Sequence, residues 1–142
     1  MSAIPETKKA AVCDDNYGCS VKSLPIIKDL DPNQLLIKVV SAAGNPTDWK
    51  HLAYKMSGIN SIIGCDVSGI VAAVGSEVDA TSFKVGDHVF SMVHGCSRAF
   101  PNTGGFAEYA VLDSKLTFKY PKGLKLNGKN VPAGPITTLE SA

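Results

Sequence analysis

The sequence predicts a mainly β fold, a barrel or a sandwich. Short runs rich in Val, Ile and Thr alternate with turn signals about eight to twelve residues apart, a spacing typical of antiparallel β domains. One interior stretch, residues 45–55, carries the start signals of a helix instead. The chain has 142 residues, 44% of them apolar and 19% charged, which is the composition of one globular domain.

Strands are predicted wherever branched apolar residues cluster between turn residues. These runs are residues 8–15, 19–27, 35–44, 62–75, 106–112 and 115–121. Within the fourth run, the glycines at 64, 69 and 75 predict bulges, bends or close backbone approaches. In the run 76–93, the pair Gly86-Asp87 predicts a turn that joins two strand pieces, and residues 94–105 predict a loop.

The helix predicted from residue 45 is short. Asn45 or Thr47 suits its N-cap, and Pro46 suits its first position because the N–H that proline lacks would have no partner there. Asp48 then lies at the positive end of the helix dipole. The turn residues 57–61 end the helix.

Composition excludes several classes of function. A net charge of +1 gives no electrostatic basis for binding nucleic acid or an anionic membrane, and no apolar run is long enough to span a bilayer. The N-terminus lacks the order of a signal peptide, so we expect a cytoplasmic protein whose four cysteines are reduced. Their spacing does not form a zinc-binding set.

Four motifs in order carry a resemblance to a known family. They are G-N-P-T-D-W-K, I-G-C-D-V-S-G-I-V-A-A-V-G, V-G-D-H-V and G-G-F-A-E-Y. Over residues 9–120 the chain resembles the N-terminal half of the medium-chain dehydrogenase/reductase superfamily. The words N-P-T-D-W-K and G-C-D resemble the fungal zinc-type alcohol dehydrogenase-like proteins and the trans-acting enoyl reductases.

The resemblance implies a GroES-like, partly open β-barrel with a few short helices at residues 1–125. Residues 126–142 then form a linker toward a Rossmann domain that binds NADP(H) or NAD(H). A G-x-G-x-x-G turn, which such a cofactor needs, is absent from the chain. We therefore expect NADPH to bind the full-length parent and not this chain alone, which is either a fragment or a truncated product.

The resemblance also indicates that a zinc site has been lost. Zinc-dependent members have Cys where this chain has Asn45, and G-H-E where it has Gly64-Cys65-Asp66. A carboxamide replaces a thiolate poorly as a zinc ligand, and one thiol alone cannot hold the ion. We expect no bound zinc and no other metal.

The resemblance implies that the turn at Asn45 lies beside the nicotinamide and the substrate. It implies Lys50 and Asn45 as catalytic residues, Asn45 and Thr47 as cofactor-binding residues, and Trp49, Tyr54 and His51 as substrate-pocket residues. The residues alone leave alternatives open: Asn45 as a helix cap only, Lys50 as a solvated lysine, and Trp49 as a core aromatic.

Two functions follow. The first is the N-terminal, substrate-side domain of a zinc-independent, NADPH-dependent oxidoreductase that reduces an activated C=C or C=O bond of a small-molecule substrate. The second is a truncated, non-catalytic barrel domain that binds a partner protein or self-associates as a homo-oligomer, because a missing cofactor domain would expose an apolar face.

Overall fold

The computed structural model describes residues 3–121, 125–126 and 129–130, and its architecture is mainly β. Within these described residues, one helix, α1 (Pro46–Ala53), and one 3-10 turn (Ser114–Leu116) interrupt the strands. The strands are β1 (Thr7–Cys13), β2 (Cys19–Pro25), β3 (Gln34–Ala43), β4 (Asp66–Val74), β5 (His88–Met92), β6 (Tyr109–Asp113), β7 (Thr117–Lys119), β8 (Lys125–Leu126) and β9 (Lys129–Asn130). The predicted mainly β fold is confirmed.

The main sheet has five antiparallel strands in the order β6-β3-β4-β5-β7, curled into a half-barrel. Strands β1 and β2 form a separate hairpin, and β8 pairs with β9. Isolated bridges from Ala10 to Ala107 and from Val12 to Ile62 attach the β1–β2 hairpin to the rest of the domain. The partly open barrel expected from the resemblance is therefore present.

The core fills the inside of the curled sheet. Alternate residues of β3 to β6 point inward, as the period of a strand requires. The fully buried cluster consists of Leu35, Ile37, Val67, Val71, Val89, Ala110 and Leu112. Packing of these apolar side chains holds together the strands that precede and follow α1.

Glycines in and before β4 mark close backbone contacts, as predicted. A Cβ on Gly69 would lie 2.2 Å from the carbonyl oxygen of Lys38, where the β3–β4 register shifts between Val39 and Ser41. Gly64 has φ +95, and a Cβ there would meet the ring of Phe106. Only glycine fits both positions without displacing its neighbour.

Two strand predictions need correction. The strand predicted over 62–75 begins only at Asp66, because the left-handed backbone of Gly64 is incompatible with an extended run. The piece before Gly86-Asp87 is not a strand. Its residues form turns, because the Asp79 carboxylate accepts hydrogen bonds from the Thr81 N–H and the Ser82 hydroxyl. Strand β5 does follow that turn.

Much of the C-terminal prediction remains open. Most of the linker expected at 126–142 lies outside the described residues, and so does the first turn of a helix that the run GPITTLESA predicts at 134–142. In the part of the chain that the structure describes, no helix is long and apolar enough to cross a membrane.

Candidate functional site

The predicted site is built on the N-terminus of α1, where β3 ends. Asn45 has an extended backbone and is the N-cap, and Pro46 occupies the first helical position. The Asp48 carboxylate reaches back and accepts a hydrogen bond from the Asn45 N–H at 2.7 Å. The Asp48 side chain, three residues after the N-cap, thereby satisfies a backbone donor that would otherwise be free at the start of the helix.

The Asn45 side chain also joins α1 to the main sheet. Its amide nitrogen donates to a carboxylate oxygen of Asp66 at 2.6 Å. Asp66 is the first residue of β4 and pairs with Ala43, the last residue of β3. A charge-assisted hydrogen bond of this length is stronger than a neutral one, so it orients the amide.

A buried acid and a thiol lie behind this amide. Asp48 is 6% exposed, and its carboxylate lies close enough to Cys65 to act on the thiol. Burial raises the pKa of Cys65 to about 11, and the Asp48 carboxylate adds to the increase. At neutral pH Cys65 is therefore a protonated thiol, which is neither a good nucleophile nor a good metal ligand.

Four of the predicted polar and aromatic residues share one face of α1 and its C-cap. Their spacing of i, i+3, i+4 and i+7 places them in a line. They are Thr47, Lys50, His51 and Tyr54. The His51 Nδ1 lies 2.7 Å from the Thr47 carbonyl oxygen and 3.1 Å from its hydroxyl. Since a carbonyl oxygen only accepts, Nδ1–H is the donor in the bond to the Thr47 carbonyl.

Lys50 and Trp49 form an exposed pair. The Lys50 ammonium lies 5.7 Å from the centre of the Trp49 ring, within cation–π range. Trp49 is 57% exposed and Tyr54 is 66% exposed. The alternative that Trp49 is a core aromatic is therefore wrong. Both rings therefore present apolar surface to solvent.

Comparison with known proteins identifies the family. The alcohol dehydrogenase GroES-like domain matches residues 31–122. The chain belongs to this family, and it is a GroES-like domain of the medium-chain dehydrogenase/reductase type.

Two named proteins and one solved structure are similar to this GroES-like domain over most of its length. It is 42% identical to the uncharacterized protein YLR460C of Saccharomyces cerevisiae, covering 97% of this chain and 37% of that protein. It is 37% identical to the trans-enoyl reductase RAP2 of Pyricularia oryzae, covering 85% and 33%. The structure of an alcohol dehydrogenase superfamily protein from Novosphingobium aromaticivorans matches with a TM-score of 0.66 at 31% identity, covering 84% and 36%. The chain thus spans about a third of the length of each.

The structure brings together more of the site than the sequence indicated. Asn45 and Thr47 occupy the start of α1 as expected, and Lys50, His51 and Tyr54 follow on one face. Asp66 was not among the predicted site residues, yet it is the partner of the Asn45 amide. The sequence did contain a signal for Asp66, because this residue ends Gly64-Cys65-Asp66, the segment that matches G-H-E in zinc-dependent members.

The described residues also bear on whether this GroES-like domain can hold a metal ion. Within residues 3–121, no three His, Cys, Asp or Glu side chains are grouped so as to hold a metal ion. Cys13, Cys19, Cys65 and Cys96 are all free thiols. Zinc independence stays a prediction, and the donor chemistry at Asn45 and Cys65 is the argument for it.

Proposed function

We propose that this GroES-like domain forms the substrate-side wall of a zinc-independent, NADPH-dependent reductase that acts on an activated C=C or C=O bond. The observation that carries the proposal is the Asn45–Asp66 hydrogen bond, which fixes an amide beside the polar face of α1. Similarity to a protein named trans-enoyl reductase supports an activated C=C bond as the target. The compartment that we propose is the cytoplasm.

Zinc independence rests on the chemistry of the available donors. Asn45 offers a neutral amide that is already bonded to Asp66, where a zinc enzyme of this family would need a thiolate. The Cys65 thiol, with a pKa of about 11, holds its proton at neutral pH, whereas zinc binds the deprotonated form. Carbonyl activation must then come from protein groups.

Lys50 is the group that we assign to that activation. Bound NADPH would supply hydride to the β-carbon of an enal or enone, or to the carbonyl carbon of a ketone or aldehyde. The exposed Lys50 ammonium is free to approach the carbonyl oxygen, stabilise the charge that develops there and supply the proton. Asn45 and Thr47 offer amide and hydroxyl groups that suit the polar parts of the cofactor, and Trp49 with Tyr54 offers apolar walls.

The test uses the protein as its gene encodes it. Oxidation of NADPH, and separately of NADH, is followed with a panel of enones, enals and ketones, before and after exhaustive chelation of zinc. We expect NADPH-dependent reduction that survives chelation. Lys50→Met should lower kcat by about 100-fold while leaving KM for NADPH nearly unchanged. The matched control is Lys84→Met at another exposed lysine, which should retain full activity.

Three results would contradict parts or all of this function. Unchanged kcat in the Lys50→Met protein would remove Lys50 from the chemistry. Loss of activity on chelation, restored by zinc, would overturn the metal assignment. Absence of turnover with every substrate and both cofactors would favour the non-catalytic alternative.

The alternative, a domain that self-associates or binds a partner protein, has its own supporting observation. Trp49, Tyr54 and Met56 are each more than half exposed along and just after α1. Exposed large apolar side chains grouped within a short segment are typical of an interaction surface. Sedimentation across a hundredfold concentration range tests it. Association that is abolished by Trp49→Ser with Met56→Ser would support the alternative, and a monomer at all concentrations would contradict self-association.

A further inference from the structure

Two cysteines face each other across the β1–β2 hairpin. The register places Cys13 directly opposite Cys19, at the end of the ladder nearest the turn. The backbone N–H of Cys13 donates to the Ser61 carbonyl at 3.0 Å, and its own carbonyl accepts from the Asn60 N–H at 2.8 Å. Both backbone groups of Cys13 therefore point away from β2, and Cys13 with Cys19 forms a non-hydrogen-bonded pair.

This pair type has the spacing that a disulfide needs. In antiparallel sheets the Cα atoms of non-hydrogen-bonded pairs are about 4.5 Å apart, and directly opposed side chains lie on the same face. Disulfides join residues whose Cα atoms are about 4.4–6.8 Å apart. Cys13 and Cys19 can therefore be bridged without opening the hairpin.

The two thiols differ in access to solvent. Cys19 is exposed, whereas Cys13 is fully buried. Burial raises the pKa of the Cys13 thiol, whose Sγ–H donates to the Asp14 carbonyl oxygen at 3.6 Å. A dissolved oxidant therefore reaches the Cys19 sulfur before the Cys13 sulfur, which burial shields from direct attack.

We propose that Cys13 and Cys19 are a redox pair that a peroxide converts to a reversible cross-strand disulfide. The Cys19 thiol loses its proton and the thiolate attacks one peroxide oxygen. The O–O bond breaks, a sulfenic acid forms, and the departing hydroxide takes up the proton from the thiol and leaves as one water. The Cys13 sulfur then attacks the Cys19 sulfur, the S–O bond breaks, and a second water leaves with the Cys13 proton. Two thiols are oxidised to one disulfide, and one peroxide is reduced to two waters. A dithiol reductant reverses the reaction.

The position of the pair gives this chemistry a structural consequence. The hairpin rests on the segment between α1 and β4. The Lys22 ammonium donates to the Asn60 side chain at 2.6 Å, and the Lys55 ammonium lies 5.8 Å from the centre of the Tyr17 ring. A disulfide removes the Cys13 Sγ–H that donates to the Asp14 carbonyl oxygen at 3.6 Å, at the start of the hairpin turn. Oxidation therefore changes the turn whose Tyr17 ring lies against Lys55, in the segment that follows α1.

The experiment is a peptide map of the protein as its gene encodes it, with and without hydrogen peroxide, after alkylation of free thiols. Trypsin leaves both cysteines in one peptide, residues 10–22, because no Lys or Arg lies between them. We expect this peptide to become two hydrogens lighter and resistant to alkylation, and dithiothreitol to reverse both changes. Cleavage before Asp14 and Asp15 should leave the two halves joined until they are reduced.

Two variants make the result decisive. Cys19→Ser alters an exposed side chain, so the protein should fold normally, a point checked by its unfolding temperature, and should form no bridge. Cys65→Ser is the matched control and should form the bridge as the parent does. A bridge between Cys13 and Cys96 would overturn the proposal. Oxidation of Cys19 only to sulfinic acid, or a peptide 10–22 that still carries two alkylated cysteines, would overturn it as well.

Discussion

The side-chain amide of Asn45 donates to the Asp66 carboxylate across 2.6 Å, and this bond ties the start of α1 to the start of β4. Asn45→Ala removes that bond and the N-cap together. We expect the free energy of unfolding to fall by about 1–3 kcal/mol, the cost typical of losing a helix cap and a hydrogen bond to a charged group. Urea denaturation of Asn45→Ala, Asp66→Ala and the double variant measures it. A coupling energy near zero in that cycle would show that the two side chains act independently.

A second prediction concerns the lost zinc site. Asn45→Cys with Cys65→His restores a thiolate and an imidazole on either side of Asp66, whose carboxylate supplies a third ligand. We expect the double variant to retain zinc through gel filtration, as measured by elemental analysis, because three ligands with water suffice for a tetrahedral site. The control is Asn45→Cys alone, which should not retain the ion. Equal zinc content in the two variants would mean that the segment no longer has the inherited geometry.

Burial of Lys8 predicts a pH dependence of stability. Its ammonium is 3% exposed and donates to the Tyr109 carbonyl at 2.8 Å, and burial lowers the pKa of Lys8 from 10.5 to about 8. Between these values the unfolded chain binds more protons than the folded one. Stability is therefore lowest below about pH 8 and rises as the pH approaches 10.5, by up to roughly 3 kcal/mol.

Denaturation at pH 7 to 10.5 of Lys8→Met and Lys9→Met tests this assignment. The increase in stability between pH 8 and pH 10.5 should vanish in Lys8→Met. It should persist in Lys9→Met, because the side chain of Lys9 is exposed. A rise that survives in Lys8→Met would assign the titration to another group.

Packing around Gly69 predicts a large cost for one methyl group. A Cβ at Gly69 would lie 2.2 Å from the Lys38 carbonyl oxygen, so β3 and β4 would have to separate. We expect Gly69→Ala to lower the free energy of unfolding by about 3 kcal/mol, in the range for overpacked cores. Gly44→Ala is the matched control, since a Cβ there meets nothing within 4 Å, and its stability should be nearly that of the parent. Similar losses in both proteins would point to a backbone effect.

The sequence was informative where local chemistry decides the structure. Asn45, Pro46 and Asp48 predicted the start of α1, because capping and a missing N–H act within one turn. Branched runs predicted β1 to β3 with nearly correct bounds. The turn network of Asp79 was missed, because a carboxylate that accepts bonds from nearby Thr and Ser groups overrides an apolar pattern.

Pairings between distant residues depended on the tertiary structure. By itself the sequence determined a mainly β domain, a capped helix after β3, and an amide and a thiol where zinc enzymes have ligands. Only the fold decided that Asn45 meets Asp66, that Trp49 is exposed, and that Cys13 faces Cys19. Caps and turns are set by neighbours in sequence, whereas strand register and burial are set by how the whole sheet closes on its core.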